Sequence, residues 1–328
     1  MTVRLPRLDY FLLAIIAAAV VASIFPATGG LVPVVSWASK IMIAILFFLY
    51  GARLSPHEAL QGLKHWRLHS VILTFTYLLF PVIGLAMRLL VPGLLSEELY
   101  RGMLWLCLVP STVQSSINFT SIARGNVAGA IVSASFSNLI GVVVTPLLAL
   151  LLMSTTGGLK IDASSVLDIV VQLLVPFALG QLSRRWTAAF VKRHKKLKLV
   201  DQGSIVLVVY SAFSAGMRDH MWTKVHVLDI VKLVVVCLVL LAFMLWLTWH
   251  VARLLGFNRA DAIAIQFCGT KKSLATGVPM ATVLFANIPD VGLMVLPLMV
   301  FHQVQLMACS AMAGRYARQV PDEPLVDA

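Results

Sequence analysis

Apolar runs of about twenty residues, the length an α-helix needs to cross hydrocarbon, follow one another from Tyr10 to Ala317, each closed by a charge, a proline or a glycine. A backbone in hydrocarbon must satisfy its own polar groups, so each run is expected to be a spanning helix. Their bounds read as 8–25, 34–53, 68–91, 99–123, 126–153, 166–185, 203–218, 227–255, 260–285 and 290–316. Ten such helices use nearly all of the 328 residues and leave no room for a soluble catalytic domain. With 59% apolar and only 12% charged residues, the chain lies outside the range of water-soluble domains. The expected fold class is an all-α membrane protein of ten transmembrane helices.

Arg4 and Arg7 before Leu12 to Ile24 imitate a secretory signal, but no small-x-small cleavage site precedes Phe25-Pro26, so this stretch reads as a retained first span. The net charge of +12 would suggest nucleic acid in a soluble protein; here its distribution explains it. One side receives Arg4, Arg7, Arg53, Lys64, Arg67, Arg124, the cluster from Arg184 to Lys198, Arg253, Arg259, Arg315 and Arg318. The other receives Lys40, Arg88, Arg101, Lys160, Arg218, Lys224 and Lys232. This asymmetry predicts cytoplasmic N- and C-termini in a plasma membrane, or the inner membrane of a bacterium, with the lipid bilayer as partner and no nucleic acid. The Arg184 to Lys198 cluster reads as a topology anchor or lipid contact. Cys107, Cys237, Cys268 and Cys309 lack paired spacing, so no disulfide, zinc site or cofactor is expected.

A shift of about 160 residues lays Phe48-Leu49-Tyr50-Gly51-Ala52 on Val208-Val209-Tyr210-Ser211-Ala212, and nearly the same shift lays Pro110 to Asn118 on Cys268 to Thr276. Two five-span halves, 1–158 and 159–328, must then insert with opposite topology. Inverted repeats with interrupted helices are the build of a secondary transporter.

Both interruptions carry polar side chains inside apolar spans. In the fourth span Pro110, Ser111, Thr112, Gln114, Ser115, Ser116 and Asn118 follow an apolar run. Pro110 removes a donor and frees an upstream carbonyl, while hydroxyls and amides can re-satisfy the backbone or coordinate an ion. In the ninth span Gln266, Thr270, Lys271, Lys272 and Ser273 lie between apolar flanks. Arg259 and Asp261 mark one end of that span and Asn287 and Asp290 the other, which puts the lysines near mid-membrane. A charge there costs at least about 2.5 kcal/mol, so the pair is expected to face a cavity or pathway rather than lipid. All fourteen acids fall in loops or at helix ends. Three compensations stay open: an anionic substrate, carbonyls at a helix break, or loss of the proton.

The segment Gly269 to Ser273 is not a phosphate-binding loop, because the earlier glycine and the preceding strand are missing. His302, beside Gln303 and Gln305, reads as a packed residue, and Ser133, Ser135, Ser137 and Asn138 of the fifth span as helix-packing or site-lining residues.

Ala123-Arg124-Gly125-Asn126-Val127, Phe47-Phe48-Leu49-Tyr50-Gly51 and Gln266 to Pro279, in that placement, resemble the bile acid:sodium symporter family, solute carrier family 10, and within it the SBF-like branch typified by member 7. The resemblance covers nearly the whole chain. It implies a panel of spans 1, 2, 6 and 7 beside a core of spans 3–5 and 8–10, with spans 4 and 9 unwound where they cross and ions and substrate bound at that crossing. Carried over, a possible Na⁺ would meet Ser115, Ser116, Asn118, Gln266 and Thr270. The chain departs from the family where sodium binds: Gln266 replaces a glutamate, Ala130 and Ala134 replace hydroxyl residues, and a glutamine of the third span falls near Thr76. Sodium coupling loses a carboxylate and two hydroxyls, and Lys271 and Lys272 fall close to the ion region.

The expected function is secondary transport of a small organic anion or amphipathic solute by alternating access, with a lysine in place of a sodium. The alternative is a non-transporting membrane regulator or scaffold that keeps the fold. A membrane-embedded enzyme would need a nucleophile-base pair or metal ligands, and the spans offer neither.

Overall fold

The computed structural model describes residues 10–53, 65–156, 170–194, 196–218, 226–286 and 291–319, together with 167, 220 and 223. The expected repeat boundary at 158/159 lies outside the described residues, as do Arg4, Arg7, Lys64, Lys160, Lys195, Lys224, Asn287 and Asp290. Among the described residues there are helices and turns and no strand.

In chain order the helices are α1 (Tyr10–Ile24), α2 (Leu31–Arg53), α3 (Trp66–Leu90), α4 (Glu97–Leu108), α5 (Gln114–Ile122), α6 (Val127–Thr156) and α7 (Val170–Leu182). Then come α8 (Arg184–Arg193), α9 (Leu197–Arg218), α10 (Val227–Leu254), α11 (Arg259–Thr270), α12 (Leu274–Leu284) and α13 (Val291–Arg318). Six of them, α2, α3, α6, α9, α10 and α13, are long and apolar enough to cross a membrane, and α7 and the Leu13–Ile24 part of α1 are shorter apolar helices. Outward faces are apolar, with Trp37, Ile41, Leu151, Val239 and Trp246 more than half exposed, which suits hydrocarbon as solvent. The chain is a multi-pass membrane protein.

The helices pack in two groups. In one, α7, α8 and α9 lie on α2, and α1 lies on α9. In the other, α3 packs on α4, α6 and α11; α4 and α10 pack on α13; and α5 contacts α6, α11 and α13. The groups meet mainly where α9 touches α12 and α13. The first group is drawn tight by a reciprocal pair of glycines: a Cβ on Gly51 would strike the Phe177 carbonyl and one on Gly180 the Phe48 carbonyl. Small residues of this kind let two backbones approach where lipid gives no hydrophobic drive.

Two local features take shape. The Arg184 to Lys198 cluster, read as a topology anchor or lipid contact, is largely the helix α8, whose Trp186 and Phe190 are exposed beside its basic residues. The seventh span begins at Leu197 rather than 203. Hydropathy placed that start too late because Asp201 and Gln202 interrupt the apolar run near the helix start, and Asp201 is held there by an ion pair with Arg53.

Candidate functional site

The polar interruption of the fourth span is shorter than its polar sequence. α4 ends at Leu108, Val109 is extended (ψ 154°), and α5 begins at Gln114. Gln114, Ser115, Ser116 and Asn118 are therefore helical, and only Val109 to Val113 are unwound. In the ninth span α11 ends at Thr270, Lys271 is extended (ψ 149°), and α12 begins at Leu274, N-capped by the Ser273 hydroxyl, which accepts from Thr276 N. Pro110 supplies one break by lacking an N–H.

The two breaks cross and bond to each other. Ser273 N donates to Pro110 O (2.8 Å), and Ser111 Oγ donates to Cys268 O (2.6 Å). Residues of neighbouring helices meet further backbone groups. From α6, Asn138 Nδ2 donates to Ser111 O (2.7 Å) while its Oδ1 accepts from Thr276 Oγ1 (3.0 Å), so one side chain ties both breaks. Thr145 Oγ1 donates to Leu108 O (3.0 Å). From α13, Gln305 accepts from Lys272 N and donates to Lys272 O, both at 2.9 Å. Unwound backbone at membrane depth is tolerable only when its groups are met this way.

The adjacent lysines are both fully buried and serve different surroundings. Lys272 Nζ donates to Cys107 O (2.9 Å), Val109 O (2.9 Å) and Thr76 O (3.1 Å), and lies 4.1 Å from the Phe80 ring centroid. Two of these carbonyls are freed by the break after α4. The third is freed by a π-helical turn at Phe75–Leu79, in which Phe80 N bonds Phe75 O five residues back. The next donor in that register would be Pro81, which has no N–H, so Thr76 O is left for the ammonium. Of the three compensations open from sequence, Lys272 uses carbonyls at helix breaks. Lys271 points elsewhere: its Nζ sits 3.7 Å from the Phe119 centroid and 5.9 Å from that of Phe267, with no hydrogen-bond partner among the described residues.

Four of the five candidate sodium ligands are already hydrogen-bonded to other groups. Gln266 donates to Leu245 O (2.8 Å) and accepts from Tyr316 OH (2.9 Å), and Thr270 meets Thr248 across α10 (3.2 Å). Ser115 and Ser116 bond Thr112 Oγ1 at 2.7 and 3.0 Å, and Asn118 lines a cavity. Ala130 and Ala134 are buried and offer only carbonyls, the first accepting from Cys268 Sγ (3.8 Å) and the second from Asn138 (3.0 Å). Among the described residues no group of three or more His, Cys, Asp or Glu is placed to hold a metal ion.

The cavity, about 690 Å³, lies between the two helix groups with the crossing in its wall. Thr112, Gln114, Ser115, Asn138, Ser273 and Thr276 form a polar side from the second helix group, together with His302 of α13. Phe11, Tyr50, Phe177 and Ile205 face them from the other group, and beyond these Arg53 of α2 is paired with Asp201 of α9. Sequence reading gave Arg53 only a topological role and did not single out Asp201, since their pairing spans 148 residues of chain. Asn138 was read as a helix-packing or site-lining residue, and Gln305 was noticed only as a neighbour of His302. Pro110, Ser111, Thr112, Ser273 and both lysines do gather at the crossing; Gln266 and Thr270 turn to α10.

The turn Ala123 to Val127 is also explained. Arg124 takes φ 55°, and a Cβ on Gly125 would lie 2.6 Å from the Ile263 side chain. Asn126 donates through Nδ2 to Asp261 Oδ1 (2.6 Å) and through its backbone to Ala260 O (2.9 Å). The motif is a lock between the α5–α6 turn and the start of α11.

A model of the SBF-like CPA transporter family matches residues 9–318. An uncharacterised protein of Pseudomonas aeruginosa is 51% identical over 315 residues, covering 96% of this chain and 94% of its own. The putative symporter YfeH of Escherichia coli is 47% identical over 313 residues, covering 95% and 94%. Sodium/bile acid cotransporter 7 of Mus musculus is 30% identical over 317 residues, covering 93% and 92%.

Proposed function

Because the chain belongs to the SBF-like CPA transporter family, we propose that it is a secondary active transporter of a small amphipathic organic anion, with the Lys272 ammonium built in where a symporter would bind sodium. The observation that carries this reading is Lys272 Nζ held by three carbonyls at the crossing of two broken helices beside a large cavity. Three oxygens around a buried cation resemble an ion's coordination shell, except that this cation is tethered and cannot be transported. Neutral Gln266 and the alanines 130 and 134 are consistent with a protein that has no mobile sodium to hold.

In this reading the six long helices, α1 and α7, and the broken pairs α4–α5 and α11–α12 make ten spans in inverted repeats, 1–158 and 159–328. The group α1, α2, α7 and α9 is the panel, and the remaining spans are the core. The two groups touch mainly through α9, a limited contact across which rigid-body rocking is feasible. The excess of basic residues beside Arg53, Arg124 and Arg253 supports cytoplasmic termini in the plasma membrane, so a cavity reaching Arg53 is the inward-facing state. α5 and α12 both start at the cavity wall, and the positive ends of their dipoles favour an anion. The names of the relatives point to the same solute class: one is a bile acid cotransporter.

Counterflow in proteoliposomes tests the proposal. Vesicles loaded with unlabelled taurocholate, or with a pool of aryl and alicyclic carboxylates, should transiently accumulate the labelled anion, equally in Na⁺ and K⁺ buffers. No exchange of any anion would favour the scaffold alternative; exchange that needs Na⁺ would overturn the fixed-cation assignment.

A further inference from the structure

The charged groups among the described residues lining the cavity are Arg53 and Asp201. Their pairing looks at first like a plain strut between α2 and α9, but the two partners are not equivalent. The Arg53 side chain is 32% exposed and the Asp201 side chain 14%. One carboxylate oxygen, Oδ2, accepts from Arg53 Nη1, while Oδ1 is sealed from solvent without a hydrogen-bond partner among the described residues. Both line the cavity, Asp201 as the more buried partner and the guanidinium as the more exposed one. A guanidinium carries five N–H donors, and among the described residues Asp201 engages it through a single nitrogen. The remaining donors form a planar fork suited to a carboxylate or a sulfonate. Tyr50 and Gln202 line the cavity alongside it, and Phe11, Phe177 and Ile205 line the same side with apolar surface.

We propose that Arg53 is the residue that anchors the acidic head of the transported solute, with Asp201 as the positioning residue that holds the guanidinium toward the cavity. This rests on the reading of the cavity as the solute site. It deepens that reading by assigning the solute a single carboxylate or sulfonate at one end and an apolar body that lies along Phe11, Phe177 and Ile205. A retained Asp201 also compensates the Arg53 charge while the cavity is empty.

The test uses the purified full chain in detergent and benzoate as probe, with benzamide as its uncharged counterpart, read by thermal shift. Benzoate should raise the melting temperature saturably and benzamide should not. Arg53→Gln should weaken the benzoate half-saturation by about 10- to 100-fold, the cost of a charge-assisted pair, while Arg53→Lys keeps part of it. The double swap Arg53→Asp with Asp201→Arg preserves a strut but makes the cavity-facing member acidic. It should lose the benzoate response and gain one to benzylamine. A swap that restores benzoate binding would make the pair a strut only and overturn the anchor, as would a wild type that ignores benzoate. Ser135→Phe narrows the cavity without touching Arg53 and separates the two claims. If it abolishes the response and Arg53→Gln does not, the cavity stands and the anchor falls. If neither changes the response, the cavity is not the solute site. If only Arg53→Gln abolishes it, the acid binds at Arg53 without the Ser135 part of the cavity, so the anchor stands and the reading of the whole cavity as the solute site falls. Loss in both variants supports the proposal.

Discussion

Lys272→Met should unfold the crossing, whereas the same change at its neighbour should not. Methionine approximates the lysine stem, so the packed volume is kept and the ammonium alone is removed. Three charge-assisted hydrogen bonds disappear, leaving the carbonyls of Thr76, Cys107 and Val109 without that donor in a region with little water. At about 0.6 kcal/mol per bond, the average in membrane double-mutant cycles, the loss is about 2 kcal/mol. Soluble-protein values of about 1.5–3 kcal/mol for bonds to charged groups would give more, and relief of the buried charge offsets part of that. About 3 kcal/mol is a fair centre, in line with the roughly 3–5 kcal/mol lost when one member of a buried charged arrangement is removed. At roughly 2–4 °C per kcal/mol this is a fall of about 6–12 °C in melting temperature. Among the described residues Lys271 Nζ meets only ring faces, worth about 0.5–2 kcal/mol, and its removal also relieves a buried cation, so Lys271→Met should change stability by less than about 1 kcal/mol. The assay is a thermal melt of both single variants in the same detergent, followed by size-exclusion chromatography. Equal melting temperatures for the two variants, or a Lys272→Met protein as stable as wild type, would refute the claim that these carbonyls hold a fixed cation.

Other consequences can be checked on the same preparations. Replacing Na⁺ by choline should leave the melting temperature unchanged, whereas a specific sodium site at 100 times its Kd would contribute about 2.7 kcal/mol. Asn138→Ala removes the side chain that ties Ser111 to Thr276 and should cost about 1–3 kcal/mol in thermal or denaturant unfolding, with a larger loss of counterflow than of fold. Gly51→Ala and Gly180→Ala each push a methyl group into a facing carbonyl well inside 3.0 Å. Each should destabilise by about 1–3 kcal/mol or disperse the protein on size-exclusion, and the double variant should be no easier to accommodate.

Hydropathy alone was enough to read a multi-pass helical membrane protein, because in hydrocarbon each span must be apolar and hydrogen-bond itself. The polar runs at Pro110 and at Gly269 to Ser273 marked the two breaks for the same reason: such residues are costly in lipid unless a structure uses them. The lysine pair also stood out as an anomaly needing compensation. Which compensation applied was not legible, since the partners of Lys272 Nζ lie 196, 165 and 163 residues away in the chain. Two neighbouring lysines look alike in sequence; the extended backbone at the break sends one toward freed carbonyls and the other toward Phe119. Thr76 entered the sequence reading as a replaced side chain, yet its carbonyl is what matters, released by a π turn and Pro81. The Arg53–Asp201 pair was hidden in the same way, each charge reading as a helix-end residue until α2 and α9 were laid together. Sequence by itself determined where polar chemistry enters the membrane, because that depends on local hydropathy. Only the tertiary structure decided which groups meet there, because the bonds between the two breaks, and those of Asn138, Gln305 and Lys272 Nζ, join segments brought together by packing.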